Sequence, residues 1–304
     1  TLSAIFKSLP GIIPTIPVVL FSRLGDRVGK GVRTAPRDAL LASYSKNNTG
    51  AIFGFHRGMD TLGAVIGPAV ALVLLHYYPA NYILIYLVAF IPSSAAVFFF
   101  FFVNDKPVKK EERIKSKYFD FWKGAPSSYK TLLSLLTVFS IVNSSDVFLI
   151  LKSQHILHSA ILAIVGYILY NIVYAVTSYP MGKLSDLLGK RKVFAGGLSV
   201  FSVVYLGFAL VDNIFFIYGL FLLYGLYAAS TEGIAKAWIS DLIPDNMRGT
   251  AIGLLTMLSS FAAMIGSLLA GILWDQFGSR VPFLFSFVIS FAIAVFFILM
   301  KDNE

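Results

Sequence analysis

The 304-residue sequence contains no cysteine, which excludes disulfides, thiolate metal sites and a cysteine nucleophile. Histidine is nearly as scarce. The four present show no metal-ligand spacing, and His155 and His158, three residues apart, have no third ligand in view. No phosphate-binding loop, hydrolase triad or metal motif is present, so neither a cofactor nor an enzymatic activity is expected. Charge is thin as well. Only 13% of residues are charged, about half of what a soluble domain carries. Apolar residues fill the space: they make up 57% of the chain, and the mean hydropathy is +0.76. This is the composition of an integral membrane protein whose partner is the lipid bilayer. The apolar stretches are continuous rather than alternating, which excludes the strands of an outer-membrane barrel. The net charge of +9 would suit a nucleic-acid binder, but in a membrane chain it reads as basic cytoplasmic loops, and no nucleic acid is expected. The aromatic residues, 15% of the chain, are assigned to packing and interface belts.

Runs long enough to cross a bilayer cover 11–44, 49–77, 82–103, 128–151, 157–181, 193–211, 214–241, 249–274 and 281–300, with a partial run at 1–8. Basic residues crowd the segment 104–123, with KKEERIKSK at its centre, and the segment 182–192; Arg248 and Lys301 fall on the same side. The positive-inside rule puts these in the cytoplasm and the protein in the cell membrane. The expected organisation is an N-terminal helical bundle over 1–103, a basic cytoplasmic loop over 104–127 and a C-terminal bundle over 128–304.

An internal repeat supports this division. GAIFGF at 50–55 matches GTAIGL at 249–254, and AVIGP at 64–68 matches AMIGS at 263–267, both 199 residues apart. Parallel repeats of six spans are a transporter architecture. The same offset places Thr1 opposite the interior of the 193–211 span. A complete first half would then begin about 71 residues earlier, so spans 1 and 2 and part of span 3 are expected to be missing.

Residues 182–192 read GKLSDLLGKRK. This resembles the signature loop of the major facilitator superfamily, G-x-L-[SA]-D-x-x-G-[RK]-[RK], at the position where that family carries it. DRVGKGVRTAPRDALLA, FGFHRGMDTLGAVIGP, NSSDVFLILK and LYGLYAASTEGIAKAWISDLIP resemble one permease sub-branch of the same family. The resemblance covers essentially the whole chain. It implies an all-α membrane fold of two six-helix bundles, a monomer, and secondary transport by alternating access. In family order, 11–44 is span 4.

Five constellations could carry that function. The first lies in span 4. Arg23, Asp26, Arg27, Lys30, Arg33, Arg37 and Asp38 fit one arc of about 140° on a helix. Such a stripe must face water or partner charges rather than lipid. Its net positive charge favours an anion or the acidic group of a zwitterion, with Arg27, Lys30 and Arg33 as substrate contacts. Arg37 and Asp38 lie nearer the cytoplasm, as gate or structural residues, and Pro36 would kink the helix there. The second is His56, Arg57 and Asp60 on one face of span 5, readable as an ion-pair group with span 4 or as proton-coupling residues, with Asp60 and Asp26 the carboxylates in question. The third is Glu232 and Lys236 in span 10, either bridging each other at i,i+4 or exchanging partners with Arg33. The fourth is Asn143 and Asp146 in span 7, able to hydrogen-bond a polar solute or to act as glue between helices. The fifth is implied by the resemblance: a conformational lock made by Gly182, Asp186, Gly189, Lys190 and Arg191, with Asp186 facing the start of span 11 beside Arg248.

The expected function is therefore a permease for a small anionic or zwitterionic solute, with proton coupling as an option. An exporter of organic cations and a transporter-like receptor or lipid scramblase are the alternatives.

Overall fold

The computed structural model describes residues 15–45, 47–79, 81–100, 102 and 118–300, although some side chains within α1 and at a few other positions lie outside the described residues. The partial run at 1–8 and most of the central loop fall outside them. Every regular element among the described residues is helical. The helices are α1 (Ile16–Ser43), α2 (Thr49–Tyr77), α3 (Tyr82–Phe100), α4 (Tyr118–Gly124), α5 (Ser127–Val142), α6 (Val147–Leu157), α7 (Ala160–Leu188), α8 (Lys190–Leu210), α9 (Ile214–Leu242), α10 (Arg248–Phe277) and α11 (Val281–Leu299). Seven helical stretches among the described residues are long and apolar enough to cross a membrane, with α5 and α6 counted together. Helix α1 has the length, at 28 residues, but carries the charged stripe; the apolar part of α3 is short.

Local chemistry sets the boundaries. Ser159 accepts a hydrogen bond from the Leu162 amide at the start of α7, and Asn213 accepts one from Phe215 at the start of α9. Gly189 alone turns the chain between α7 and α8, with φ of +93°, a conformation that an L side chain rarely adopts. The segment 182–192 is thus not a loop: it forms the last two turns of α7, the turn at Gly189 and the first residues of α8. Continuity of the 128–151 run also fails. The helix stops after Val142 and restarts at Val147; within the break the Ser145 hydroxyl accepts the Val147 amide at 3.4 Å and the Ser145 amide donates to the Ser267 hydroxyl at 3.3 Å.

Inside the bilayer the hydrophobic effect does not drive helix association; packing and interhelical hydrogen bonds do. The core lies in α5–α11, where Phe139, Phe201, Tyr205, Phe221 and Phe283 are buried against one another. The rings of Phe201 and Tyr205 stack at 4.0 Å. Ser202 and Ser290 share a hydrogen bond of 2.9 Å between α8 and α11, and Ser286 donates to the Val142 carbonyl where α5 ends.

The α1–α3 segment joins this core along two lines. Helix α1 lies on α10, where Ala35 and Ala39 face Gly253 and Gly249. Helix α2 lies on α7 at near-backbone contact. A Cβ on Gly54 would overlap the Ser178 carbonyl oxygen, and one on Gly182 would overlap the Gly50 carbonyl oxygen. Helix α2 has no side-chain cap of its own. Asp186, from the other segment, supplies one: its carboxylate accepts the Gly50 amide at 2.9 Å and the Ala51 amide at 2.8 Å. A carboxylate at free helix amides is stabilised by both hydrogen bonds and the helix dipole. The expectation that Asp186 faces the start of α10 is therefore corrected to its repeat-related counterpart, the start of α2.

Enlarging Gly182 should separate these helices. In Gly182→Leu, the distance between spin labels at Asn47→Cys and Leu187→Cys should lengthen, while the melting of the α5–α11 core changes little. The chain has no cysteine of its own, so the labels have no background. An unchanged distance would mean that the glycine contact does not set the spacing.

Candidate functional site

Where α2 meets α5, α9 and α10, the helices leave a cavity of about 340 Å³. Arg57 enters it from α2, Asn143 from the break after α5, and Glu232 and Lys236 from α9. Thr231, Thr256 and Ser259 add hydroxyls. Glu232 and Lys236 share the wall because residues four apart lie on one helix face.

The charged wall residues are paired across the two segments. Arg57 holds Glu232 at 2.7 Å, and Lys236 holds Asp38 at 2.6 Å. Asp38 is 1% exposed and is also bound by Arg37 at 2.9 Å. Arg37 reaches Asp60 at 3.8 Å, and His56 lies 3.7 Å from the same carboxylate. Three permanent cations thus face three carboxylates, so the described cluster is balanced. Breaking a buried pair by removing one member leaves an uncompensated charge and costs about 3–5 kcal/mol.

The partners differ from the sequence expectations. Glu232 and Lys236 do not bridge each other; each reaches across to the α1–α3 segment, because α9 packs against α2 and α1. Arg33 is exposed and makes no ion pair among the described residues. Arg57 points to α9 rather than to Asp60. The side chains of Asp26, Arg27 and Lys30 lie outside the described residues. Asn143 lines the cavity, with its amide oxygen buried and without a hydrogen-bond partner. Asp146 does not line it: its carboxylate accepts the Tyr224 hydroxyl at 2.8 Å and lies 3.5 Å from the Tyr167 hydroxyl.

A second cluster closes the end of the molecule that carries the basic turns. Lys190 pairs with Asp186 at 3.1 Å and with Asp241 at 2.6 Å, and Thr49 at the start of α2 donates to Asp241 at 2.9 Å. Arg191 donates to the Met300 carbonyl at the end of α11. Arg248 does not join Asp186. It donates to the Ser240 carbonyl at 2.7 Å and pairs with Asp245 at 2.8 Å, and it touches α1 only through the Ala42 carbonyl at 3.5 Å.

Assigning the aromatic residues to packing alone overlooked the tyrosines. Tyr167, Tyr170 and Tyr174 recur on one face of α7, and Tyr224 and Tyr227 face them from α9. Tyr174 lies beside Glu232 and Thr61 without closing a hydrogen bond of ordinary geometry. Three tyrosines at helical spacing opposite a buried carboxylate were the available signal.

The family model of the Major Facilitator Superfamily matches residues 1–168 and again 132–304. An uncharacterized MFS-type transporter of Methanocaldococcus jannaschii is 34% identical over 295 residues, covering 95% of this chain and 73% of that protein. An uncharacterized Mycobacterium tuberculosis protein is 25% identical over 288 residues, 89% of this chain and 66% of its own length. Among solved structures, the human organic anion transporter TETRAN matches with a TM-score of 0.78 at 15% identity, covering 97% of this chain and 74% of that one. The E. coli fucose:proton symporter matches with a TM-score of 0.73 at 13% identity, covering 97% and 80%. At those identities the structural matches speak for the fold. With the family model spanning the chain and the archaeal relative above 30% identity, this multi-pass membrane protein belongs to the major facilitator superfamily, a family of transporters rather than enzymes.

Proposed function

We propose that this chain forms the transport body of a secondary active permease that carries a small zwitterionic or anionic solute by alternating access. Its halves are 1–103 and 128–304, joined by a cytoplasmic loop over 104–127. It works as a monomer in the cell membrane, with its basic end in the cytoplasm. The carrying observation is the central cavity, walled by the Arg57–Glu232 pair and by Lys236. At about 340 Å³ it has room for roughly ten water molecules, the scale of a small metabolite.

The charge balance favours a zwitterion over a simple anion. Both cations on the wall already hold carboxylates, so an incoming anion must displace one of them. A zwitterion offers its acidic group to Arg57 or Lys236 and its ammonium to the released carboxylate, and leaves no charge unpaired. The charged cavity favours a permease over the receptor or scramblase alternative, because it offers a carried solute a place to bind between the segments. An organic-cation exporter is disfavoured because Glu232, the one carboxylate lining the cavity, is already neutralised by Arg57. The structural neighbours include a protein described as an organic anion transporter and one described as a fucose:proton symporter, a range too wide to choose a solute.

The basic end is closed in this structure, which supports an arrangement shut toward the cytoplasm. Opening it requires the Asp186 cap on α2, the Thr49–Asp241 hydrogen bond and the Asp38–Lys236 and Arg57–Glu232 pairs to separate together.

Three outcomes are expected. Small zwitterions should raise the melting temperature of the purified protein by mass action, and Arg57→Ala should abolish the shift. Stabilisation by organic cations alone would sink the solute reading. Lys236→Ala should destabilise the protein by less than the about 3–5 kcal/mol of a stranded charge, because Asp38 keeps Arg37, and adding Asp38→Asn should restore part of the loss. Equal melting of the single and double variants would show that the pair is not coupled. Asp186→Asn should weaken the cap on α2 and shift the spin-label distance at the basic end toward open; an unchanged distribution would remove Asp186 from the gate.

A further inference from the structure

Among the described residues, the carboxylates of the central cluster and of the basic end, Asp38, Asp60, Glu232, Asp186, Asp241 and Asp245, each have a basic partner. Asp146 sits in the break between α5 and α6, within a membrane-spanning stretch, and no basic side chain pairs with it among the described residues. Its partners are the hydroxyls of Tyr224 on α9 and Tyr167 on α7. The other titratable groups that face it are Tyr170 on α7, Tyr205 on α8 and, farther along α9, Tyr227 and Glu232. None of these is a cation. A lone carboxylate in a low-dielectric interior is neutralised by a proton or by a metal ion.

The packing selects between these two. The rings around Asp146 are in contact, with centroids of Tyr170 and Tyr224 at 4.8 Å and of Tyr224 and Tyr227 at 5.2 Å. Asp146 borders no part of the central cavity. A sodium ion would need space and several oxygen ligands; a proton needs neither. Asn143, three residues away in the same break, lines the cavity. The orphaned oxygen of Asn143 and the unpartnered hydroxyl of Tyr205 are buried acceptors at this level.

We infer that Asp146 is the site at which this protein binds and releases the proton that is coupled to its cycle. The inference rests on the transport reading above and is independent of which solute is carried. One proton moves from water to a carboxylate oxygen, and no bond between heavy atoms changes. The neutral acid donates one hydrogen bond, so a tyrosine hydroxyl that donated to that oxygen must rotate its own O–H away and accept instead. The ionised form ties α6 to both α7 and α9 through charge-assisted bonds, whereas the neutral form holds them only through weaker, neutral ones. The break at 143–146 lets α6 respond as a separate rod. Asp60, the sequence-based candidate, is half exposed and lies within reach of both Arg37 and His56, which suits a structural pair better.

The test uses the whole protein in sodium-free lipid nanodiscs. Infrared difference spectra across a pH series should show a carboxylic-acid band that is absent in Asp146→Asn. The spin-label distance between Asn47→Cys and Leu187→Cys should change with pH in the parent and be independent of pH in Asp146→Asn. Tyr224→Phe keeps the carboxylate and serves if Asp146→Asn does not fold; it should move the midpoint of both signals by about one pH unit, the worth of one hydrogen bond to a charged group. Persistence of the band in Asp146→Asn, its loss in Glu232→Gln instead, a response that appears only with sodium, or a midpoint unmoved by Tyr224→Phe would each overturn the inference. A ligand panel without zwitterion stabilisation, beside an intact Asp146 band, sinks the solute reading alone.

Discussion

Asp38 is a carboxylate with almost no solvent exposure, held between Lys236 of the opposite segment and Arg37 of its own helix. Much of the architecture follows from the need to keep that charge paired. Helix α1 can carry a charged stripe through a hydrophobic bundle only where α9 meets it with a cation. Helix α9 can carry Glu232 one turn away only because α2 answers with Arg57. Both answers come from the partner segment, so separating the segments along this line leaves Lys236, Glu232 and Arg57 in need of new partners and Asp38 with Arg37 alone. A transporter that rocks its segments apart needs contacts that are strong when made and replaceable when broken. Ion pairs facing a cavity meet that description better than apolar packing, because water or a solute can take the place of the lost partner.

The contacts at the basic end work differently. The α2–α7 seam is built from glycine, serine and alanine, so the helices touch backbone to backbone. Close approach brings the unpaired amides at the start of α2 within reach of Asp186, and Lys190 with Asp241 brackets the same helix start. Neither feature is sufficient alone. Larger residues in the seam would hold the amides out of reach, and without Asp186 the seam would leave those amides without a side-chain acceptor. Steric fit and electrostatics therefore depend on one another, so this end closes in a single step rather than by degrees.

Much of the fold was legible in the sequence because span length and hydropathy are direct consequences of bilayer thickness. The start of α2 at Thr49 and of α9 at Ile214 followed from the apolar pattern alone. The break at Asn143 was not legible as a break. Within the long apolar run, Asn143 and Asp146 were read as contacts to a solute or between helices, not as the place where the helix stops. The site was legible as a set of residue types and not as a set of pairs. Arg57, Asp38, Glu232 and Lys236 were all singled out, and the expected tie between the α2 group and α1 is present as Arg37–Asp60, yet Arg57 was not matched to α9, and Glu232 and Lys236 were matched to each other or to Arg33, because helical spacing is visible in a sequence and the rotation of one helix against another is not. The same limit sent Asp186 to α10 instead of α2: the repeat relates the two helix starts, and only packing decides which of them the turn at Gly189 can reach.

The balance of the central cluster carries a further consequence. A net positive stripe would attract an anion from a distance, but the same excess would hold it tightly and slow its release. The described cations on the cavity wall, Arg57 and Lys236, are both paired, so on the proposed reading a solute gains only the difference between its own contacts and those it displaces. That difference is small for any single charge and larger for a molecule carrying both signs at a spacing that matches Arg57 and Glu232. Under that reading discrimination rests on geometry rather than on charge. Glu232, Arg57, Lys236 and Asp38 also tie the segments together, so a solute that took over their bonds would loosen the tie.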